Sequence, residues 1–94
     1  MESVLQEVKE CYVCNTTYNL HDHHIIYGTS NRKQSEKYGL KVWLCQEHHT
    51  GQTGVHFRPN EGLDLHLKKI AQEKFEALYG ARNEFIRAFG KSYL

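Results

Sequence analysis

The sequence has few of the features that mark secreted or membrane proteins. Among its 94 residues are only three cysteines, and there is a single proline, Pro59. An odd number of cysteines argues against a closed disulfide framework. No run of apolar residues approaches the roughly 20 needed to cross a bilayer. The segment from Met1 to Glu10 also lacks the apolar core of a signal peptide. We therefore expect a cytoplasmic protein with no membrane partner.

The chain also lacks a strong charge of either sign. Its formal net charge is only +1, whereas dedicated nucleic-acid-binding domains are usually more basic. A domain of this size buries little surface, so an additional staple such as a metal site is a reasonable expectation. Histidine is the residue in excess, because six of the seven histidines lie between His21 and His56. Such clustering points to metal or acid–base chemistry.

Residue types divide the single expected domain, 1–94, into two parts. Residues 11–57 hold every cysteine and all but one histidine, and they mix β-formers with turn residues. We expect strands at Leu20–Tyr27 and around Leu40–Leu44, and a helix that begins near Cys45–His49. The pattern therefore favours an α+β fold built on a compact ββα unit.

Residues 60–94 are predicted to form a C-terminal helical extension that packs on this unit. An apolar stripe recurs at three- and four-residue steps in Leu63, Leu67, Ile70, Ala71, Phe75 and Leu78. Most of the polar residues fall on the other face: Lys68, Lys69, Gln72, Glu73 and Glu76. Gly80 is placed to end this helix. A shorter helix, which Asn83 could cap, should then run to Gly90.

Two pairs of residues have the spacing of zinc ligands. Cys11 and Cys14 lie three positions apart, and Cys45 and His48 repeat that spacing after a gap of 30 residues. Together they predict a tetrahedral Cys₃His zinc site, which is structural because an ion with four protein ligands is coordinatively full. Metal binding would then contribute to folding. The alternative is three buried free cysteines.

Further histidines require a second explanation. On a strand alternate side chains share a face, so His21 and His23 should point one way, and Asp22 and His24 the other. His49 directly follows a zinc ligand, and on a helix it is rotated about 100° from that ligand. We therefore expect His49 to face a neighbouring site rather than the zinc ion.

The order of three motifs resembles the HNH, or ββα-metal, endonuclease superfamily. The motifs are Cys11-x-x-Cys14, Leu20-His21-Asp22-His23-His24-Ile25 and Leu44-Cys45-x-x-His48-His49. By position, the resemblance implies that His23 and His49 hold a catalytic divalent metal ion, and that His24 is the general base that activates water. We expect Mg²⁺, Mn²⁺ or another divalent ion, and a metal-dependent DNA endonuclease or nickase that hydrolyses phosphodiester bonds.

A closer resemblance is to short phage and prophage proteins of the RecA-dependent nuclease (Ref-like) type. It is carried by Trp43-Leu44-Cys45-x-x-His48-His49-x-Gly51-x-x-Gly54-Val55-His56 and by the closing Phe89-Gly90-Lys91-Ser92-Tyr93-Leu94. It implies a bacterial host cell, a role beside recombination and a RecA-type recombinase filament as a partner. A domain this small would need a homodimer to cut both DNA strands together.

One position departs from the superfamily pattern. The middle Asn of the H-N-H motif is expected shortly before Leu44, where Gly39, Leu40 and Lys41 stand. Asn31 is the candidate to supply the same turn-fixing contact from earlier in the loop.

Two histidines and several cations complete the candidate site. His56 follows a flexible glycine-containing loop and could complete the metal shell or contact the scissile phosphate, or it is an incidental loop residue. His21 is expected to lie behind the ligands or on the surface. Basic residues that could contact DNA phosphates without reading sequence are Arg32, Lys33, Lys37 and Lys41, in the loop between the strands, and Arg58.

Two other functions remain open from the sequence. A zinc-stabilised nucleic-acid-binding or adaptor module without catalysis would account for the missing Asn, but it has no need of His23, His24 and His49. A thiol redox protein that uses Cys11 and Cys14 shares their spacing. The redox interpretation offers no account of the second ligand pair or of the histidine cluster.

Overall fold

The computed structural model describes all 94 residues and has two strands and four helices. Strands β1 (Leu20–His24) and β2 (Lys41–Cys45) pair in antiparallel register, which places His21 opposite Leu44 and His23 opposite Val42. The helices are α1 (Thr29–Tyr38), α2 (Gln46–His49), α3 (Gly62–Leu78) and α4 (Arg82–Phe89). The predicted α+β class is confirmed. None of the helices combines the length and the apolar character needed to span a bilayer.

Strand β1 is shorter than predicted, because it ends at His24 rather than Tyr27. The Ser35 hydroxyl donates to the Ile26 carbonyl at 2.7 Å and accepts from the Ile26 N–H at 3.2 Å. Both backbone groups of Ile26 are therefore paired with a buried side chain instead of a neighbouring strand. Ser35 thus fixes the turn that follows β1. The side chain of Asn31, the candidate for a turn-fixing contact, makes no hydrogen bond.

The segment between the strands is a helix, α1, where a loop was predicted. Arg32, Lys33 and Lys37 lie on this helix, and Lys41 is the first residue of β2. Only Ser35 of α1 is buried, so the helix has no apolar stripe. Hydrophobic periodicity is the main sequence signal for a helix, and α1 does not provide it.

The N-terminal segment lies along the outer edge of β2. The Val4 N–H donates to the Gly39 carbonyl at 2.9 Å, and the Trp43 N–H donates to the Gln6 side-chain oxygen at 2.8 Å. Gly39 ends α1 with a φ of 71°, and a Cβ at this position would clash with the backbone oxygen of Glu2. Glycine is therefore required both by the backbone angle and by the close approach of the N-terminal segment.

Helix α3 buries two polar side chains, Lys68 and Gln72, that were predicted to face solvent. The Lys68 ammonium pairs with Asp64 at 2.8 Å. The Gln72 side chain donates to the Ser92 hydroxyl at 2.9 Å and accepts from the Tyr93 N–H at 2.7 Å. The prediction for these two residues is wrong because their polar partners come from another turn of α3 and from the C-terminal segment.

Helix α4 begins after Ala81 and not with an Asn83 cap, since Asn83 lies inside the first turn. Helix α3 ends at Leu78, shortly before Gly80. Helix α4 ends at Phe89, and Gly90 follows as its C-cap with a φ of 94°, as predicted. The two helices and α1 meet in an aromatic cluster of Tyr38, Phe75, Tyr79, Phe85 and Phe89. One hydrophobic core therefore joins both parts of the chain.

Candidate metal centres

Four predicted ligands form one group, the thiolate cluster of Cys11, Cys14, Cys45 and His48. Their ligand atoms all lie within 4.8 Å of one another. The Cys14 and Cys45 sulfurs are 3.8 Å apart, and His48 Nδ1 lies 3.6 Å from the Cys11 sulfur and 3.2 Å from the Cys45 sulfur. Tetrahedral zinc would separate two sulfur ligands by about 3.8 Å and a sulfur from a nitrogen by about 3.5 Å, given the usual bond lengths. The cluster can therefore bind a metal ion such as zinc.

The backbone around Cys11 prepares its sulfur for metal binding. All three cysteines are free thiols. Burial opposes ionisation of Cys11, but backbone hydrogen bonds from Cys14, Cys45 and Val13 outweigh that effect and lower its pKa to about 6. The thiolate is the form that binds metal. The turn therefore favours the ligand form of Cys11 near neutral pH.

Three further histidines form a second group, the imidazole cluster of His23, His49 and His56. One ring nitrogen of each lies within 4.8 Å of the other two. The Nε2 atoms of His49 and His56 are 3.1 Å apart. His23 comes from β1, His49 from α2 and His56 from the loop after α2. Three nitrogen donors from three separate segments therefore converge, and they fit a divalent ion that accepts imidazole ligands.

The loop after α2 turns back to bring His56 to this cluster. The N–H groups of Val55 and His56 donate to the carbonyls of His48 and His49, at 3.0 and 3.2 Å. A Cβ on Gly54 would lie 2.8 Å from the backbone carbonyl of His49, a separation that real side chains do not tolerate. The absence of a side chain at Gly54 therefore allows His56 to reach His49.

His23 is the most buried member of the imidazole cluster. Only 2% of its surface is exposed, and its Nε2 atom has no hydrogen-bond partner. A buried polar atom without a partner is rare in folded proteins and calls for a ligand, ion or water. Burial, reinforced by His49 and His56, lowers the pKa of His23 to about 3, and burial with His56 and His21 lowers that of His49 to about 4. Both rings are therefore neutral near pH 7, the form that binds metal.

His21 lies behind the imidazole cluster. Its Nδ1 atom is 2.8 Å from Nδ1 of His49, so the opposite ring nitrogen of His49 is the one directed at His56. A metal-bound histidine usually donates its other N–H to a neighbouring acceptor. His21 therefore has the position of a residue that orients His49, one of the two positions expected for it.

A third group surrounds His24. Its Nε2 atom lies 2.7 Å from Glu36 Oε1, and Lys41 Nζ lies 3.0 Å from the same oxygen and 3.4 Å from Asp22 Oδ2. Ligand atoms of Asp22, His24 and Glu36 are close enough to share a metal ion, but the Lys41 ammonium already provides the cation there. Lys41 is therefore engaged with carboxylates rather than free for DNA. Glu36 is not among the predicted site residues, because it lies on the helix that was predicted to be a loop.

The imidazole cluster and His24 share a cleft of about 240 Å³. The residues that line it are Asp22, His23, His24, Tyr27, Arg32, His49 and His56. A second cleft, of about 690 Å³, is lined by His24, Arg32 and Lys33 among others. Of the predicted DNA contacts, Arg32 and Lys33 therefore lie beside His24, whereas Lys37 and Arg58 line neither cleft.

No protein-family model, curated protein or solved structure matches this chain. A function for the chain is therefore proposed from its own motifs and from the geometry of its residues.

Proposed function

We propose that this protein is a metal-dependent DNA endonuclease or nickase of the HNH type, with a zinc-stabilised ββα-metal core. The observation that carries the proposal is the convergence of three imidazole nitrogens in the cleft that also contains His24. Strands β1 and β2 are joined by α1 and pair with each other, and α2 follows β2 directly; this order supports the ββα core that the sequence resemblance implies. The same order presents His23, His24 and His49 to one cleft.

Phosphodiester hydrolysis needs an activated water, neutralisation of the phosphate charge and stabilisation of the leaving oxygen. A divalent ion held by His23, His49 and His56 would act as a Lewis acid on the phosphate and on the leaving oxygen. Because all three donors are imidazoles, they suit Mn²⁺ or another transition ion better than Mg²⁺.

The general base in this proposal is His24. A neutral imidazole suits proton abstraction near pH 7, because its usual pKa is near that pH. Arg32 and Lys33, which line the larger cleft with His24, would bind the phosphates next to the scissile bond. Contacts to phosphate fix the position of DNA and carry no sequence information, so we expect cleavage with little sequence preference.

The thiolate cluster has a structural role in this proposal. Zinc with four protein ligands has no position left for chemistry, but it would hold His48 on the short helix α2. His49 is the next residue on that helix. Zinc binding would therefore fix the segment that presents His49 to the cleft.

DNA binding by the protein alone is expected to be weak and sensitive to salt, since the net charge is only +1. A RecA-type recombinase filament, the partner that the resemblance implies, would bring the nuclease to its substrate. A homodimer would allow both strands to be cut.

A plasmid-nicking assay with Mn²⁺ or Mg²⁺ tests the proposal. The comparison is between the natural protein, His24→Ala and the control His66→Ala, since His66 is exposed on α3. We expect His66→Ala to nick normally and His24→Ala to lose about 100-fold or more of the rate, the usual contribution of a general base. Nicking that survives in His24→Ala would refute the assigned base. No cleavage with either metal, with or without added recombinase, would favour the adaptor module.

A further inference from the structure

Glu36 makes a contact with His24 that decides which ring nitrogen carries the proton. Glu36 Oε1 lies 2.7 Å from His24 Nε2. An ionised carboxylate accepts hydrogen bonds and cannot donate them, so the nitrogen in this contact must be the donor. A neutral His24 therefore has its proton on Nε2 and its lone pair on Nδ1.

The lone pair on His24 Nδ1 lies next to a cation that faces both clefts. Arg32 Nε–H donates a long hydrogen bond, 3.5 Å, to Nδ1, and Arg32 lines the cleft of the imidazole cluster as well as the larger one. Guanidinium groups bind phosphate oxygens well. A phosphate that binds the Arg32 guanidinium would take this donor away from His24, and Nδ1 would then be free to accept a proton beside the phosphate.

Glu36 is itself held in place and kept ionised. Lys41 Nζ lies 3.0 and 3.2 Å from its two oxygens, and the amine of Met1 contacts it as well. The Met1 amine, His24 and Lys41 together lower the pKa of Glu36 to about 2. The acceptor for His24 Nε2–H is therefore present throughout the pH range in which a histidine base works.

We propose that Glu36 is the positioning residue of His24: it accepts the Nε2–H bond and so presents Nδ1 as the base. This proposal rests on the proposed function of His24. In the step, Nδ1 takes one proton from the attacking water, and the water oxygen bonds to phosphorus. The bond from phosphorus to the leaving oxygen breaks, its electron pair stays with that oxygen, and solvent supplies its proton. Glu36 stabilises the imidazolium that forms.

The first test reads the tautomer directly and does not depend on activity. Two-bond ¹H–¹⁵N NMR spectra of the full zinc-loaded chain, recorded where His24 is neutral and without added Mn²⁺, distinguish the two tautomers. We expect the Nε2–H form in the natural protein and in the control Glu73→Gln, an exposed carboxylate on α3. In Glu36→Ala a substantial Nδ1–H population should appear. A natural protein with its proton on Nδ1, or an unchanged tautomer in Glu36→Ala, would overturn the proposal.

The second test uses nicking kinetics with Mn²⁺. Glu36→Ala should lower kcat by about 10- to 100-fold, less than removal of the base itself, and leave KM for DNA unchanged. Glu36→Asp keeps a carboxylate and should recover part of the rate. A rise in KM at unchanged kcat would assign Glu36 to DNA binding and overturn the proposal. If the natural protein does not nick, the proposed nuclease function fails, and the NMR result still decides whether Glu36 positions His24.

Discussion

The thiolate cluster and the imidazole cluster meet at two consecutive residues, His48 and His49, and they differ in almost every other respect. The first has four donors, three of them sulfur, and it joins the N-terminal turn to α2. The second has three nitrogen donors that line a cleft. Four protein ligands fill the coordination of a structural zinc ion, whereas three leave a position open for water or substrate, as in catalytic sites. Neighbours on one helical turn can therefore serve two centres with different purposes.

Burial has opposite effects on the metal-binding protonation states of the two clusters: it disfavours the thiolate of Cys11 and favours the neutral imidazole of His23. Backbone hydrogen bonds overcome the effect of burial and lower the pKa of Cys11 to about 6. Burial itself lowers the pKa of His23 to about 3, because desolvation disfavours the charged form of a histidine and the charged form of a thiol alike. Buried thiols thus need added hydrogen bonds to become ligands, whereas buried imidazoles do not.

The largest expected effect is loss of the fold when the thiolate cluster is broken. Cys11→Ser, or removal of metal with a chelator, should unfold the protein, because zinc binding contributes on the order of 10 kcal/mol in small zinc domains. Circular dichroism and metal analysis check this, and about one zinc per chain is expected in the natural protein. Readdition of Zn²⁺ after chelation is the control and should restore the spectrum. A folded, zinc-free Cys11→Ser protein would contradict the structural role.

Substitution of the two adjacent histidines should separate stability from activity. His48→Ala removes a ligand of the thiolate cluster, so it should lower the Tm and the zinc content. His49→Ala should keep both and reduce nicking by at least about 100-fold, because it removes a donor of the imidazole cluster. Thermal unfolding, metal analysis and the nicking assay measure the three quantities. Equal loss of stability in both variants would mean that the two clusters are not independent.

Gly54 gives an intermediate test of how the imidazole cluster is assembled. A Cβ there would lie 2.8 Å from the His49 backbone carbonyl, so Gly54→Ala should cost about 1–3 kcal/mol of stability and weaken Mn²⁺ binding. The control is Gly80→Ala, whose Cβ would be closest to the flexible end of the Glu84 side chain. Chemical denaturation and calorimetric titration with Mn²⁺ check both effects. A Gly54→Ala protein as stable as the control would refute the steric argument.

The smallest expected effect concerns the cations of α1. Arg32→Ala should reduce the affinity for DNA. It should also reduce the slope of log affinity against log salt concentration by about 1, the value expected for the loss of one phosphate contact. Lys37 lies on the same helix but lines neither cleft, and its ammonium is 5.3 Å from the Tyr38 ring centroid. Lys37→Ala should therefore have the weaker effect in fluorescence anisotropy at several salt concentrations. The reverse ranking would place DNA on another face.

The site residues that could be predicted from the sequence are those that lie within a few positions of one another in the chain. The four residues of the thiolate cluster follow from two short ligand pairs, because this spacing suits one tetrahedral ion. His49 follows from its place beside His48. Each ligand pair is recognised from its own local spacing, without knowledge of the contacts that bring the two pairs together.

The parts that were missed depend on contacts between distant segments. Helix α1 has no apolar stripe, so its residues were predicted to form a loop and Glu36 was not identified as a site residue. In the structure Glu36 contacts His24 at 2.7 Å. By helical periodicity Lys68 and Gln72 are surface residues, but they are buried because Asp64 and the C-terminal segment provide their polar partners. Polar side chains are buried when their hydrogen bonds are satisfied, and these partners cannot be read from helical periodicity.

The N-terminal segment on β2 has a consequence for assembly. An uncovered strand edge is a template on which another molecule can add a strand. Here Val4 and Gln6 occupy hydrogen-bonding groups along that edge, at Gly39 and Trp43. A second copy of the chain could not extend the sheet from β2 without displacing this segment. A homodimer that cuts two DNA strands would therefore be expected to associate through another surface.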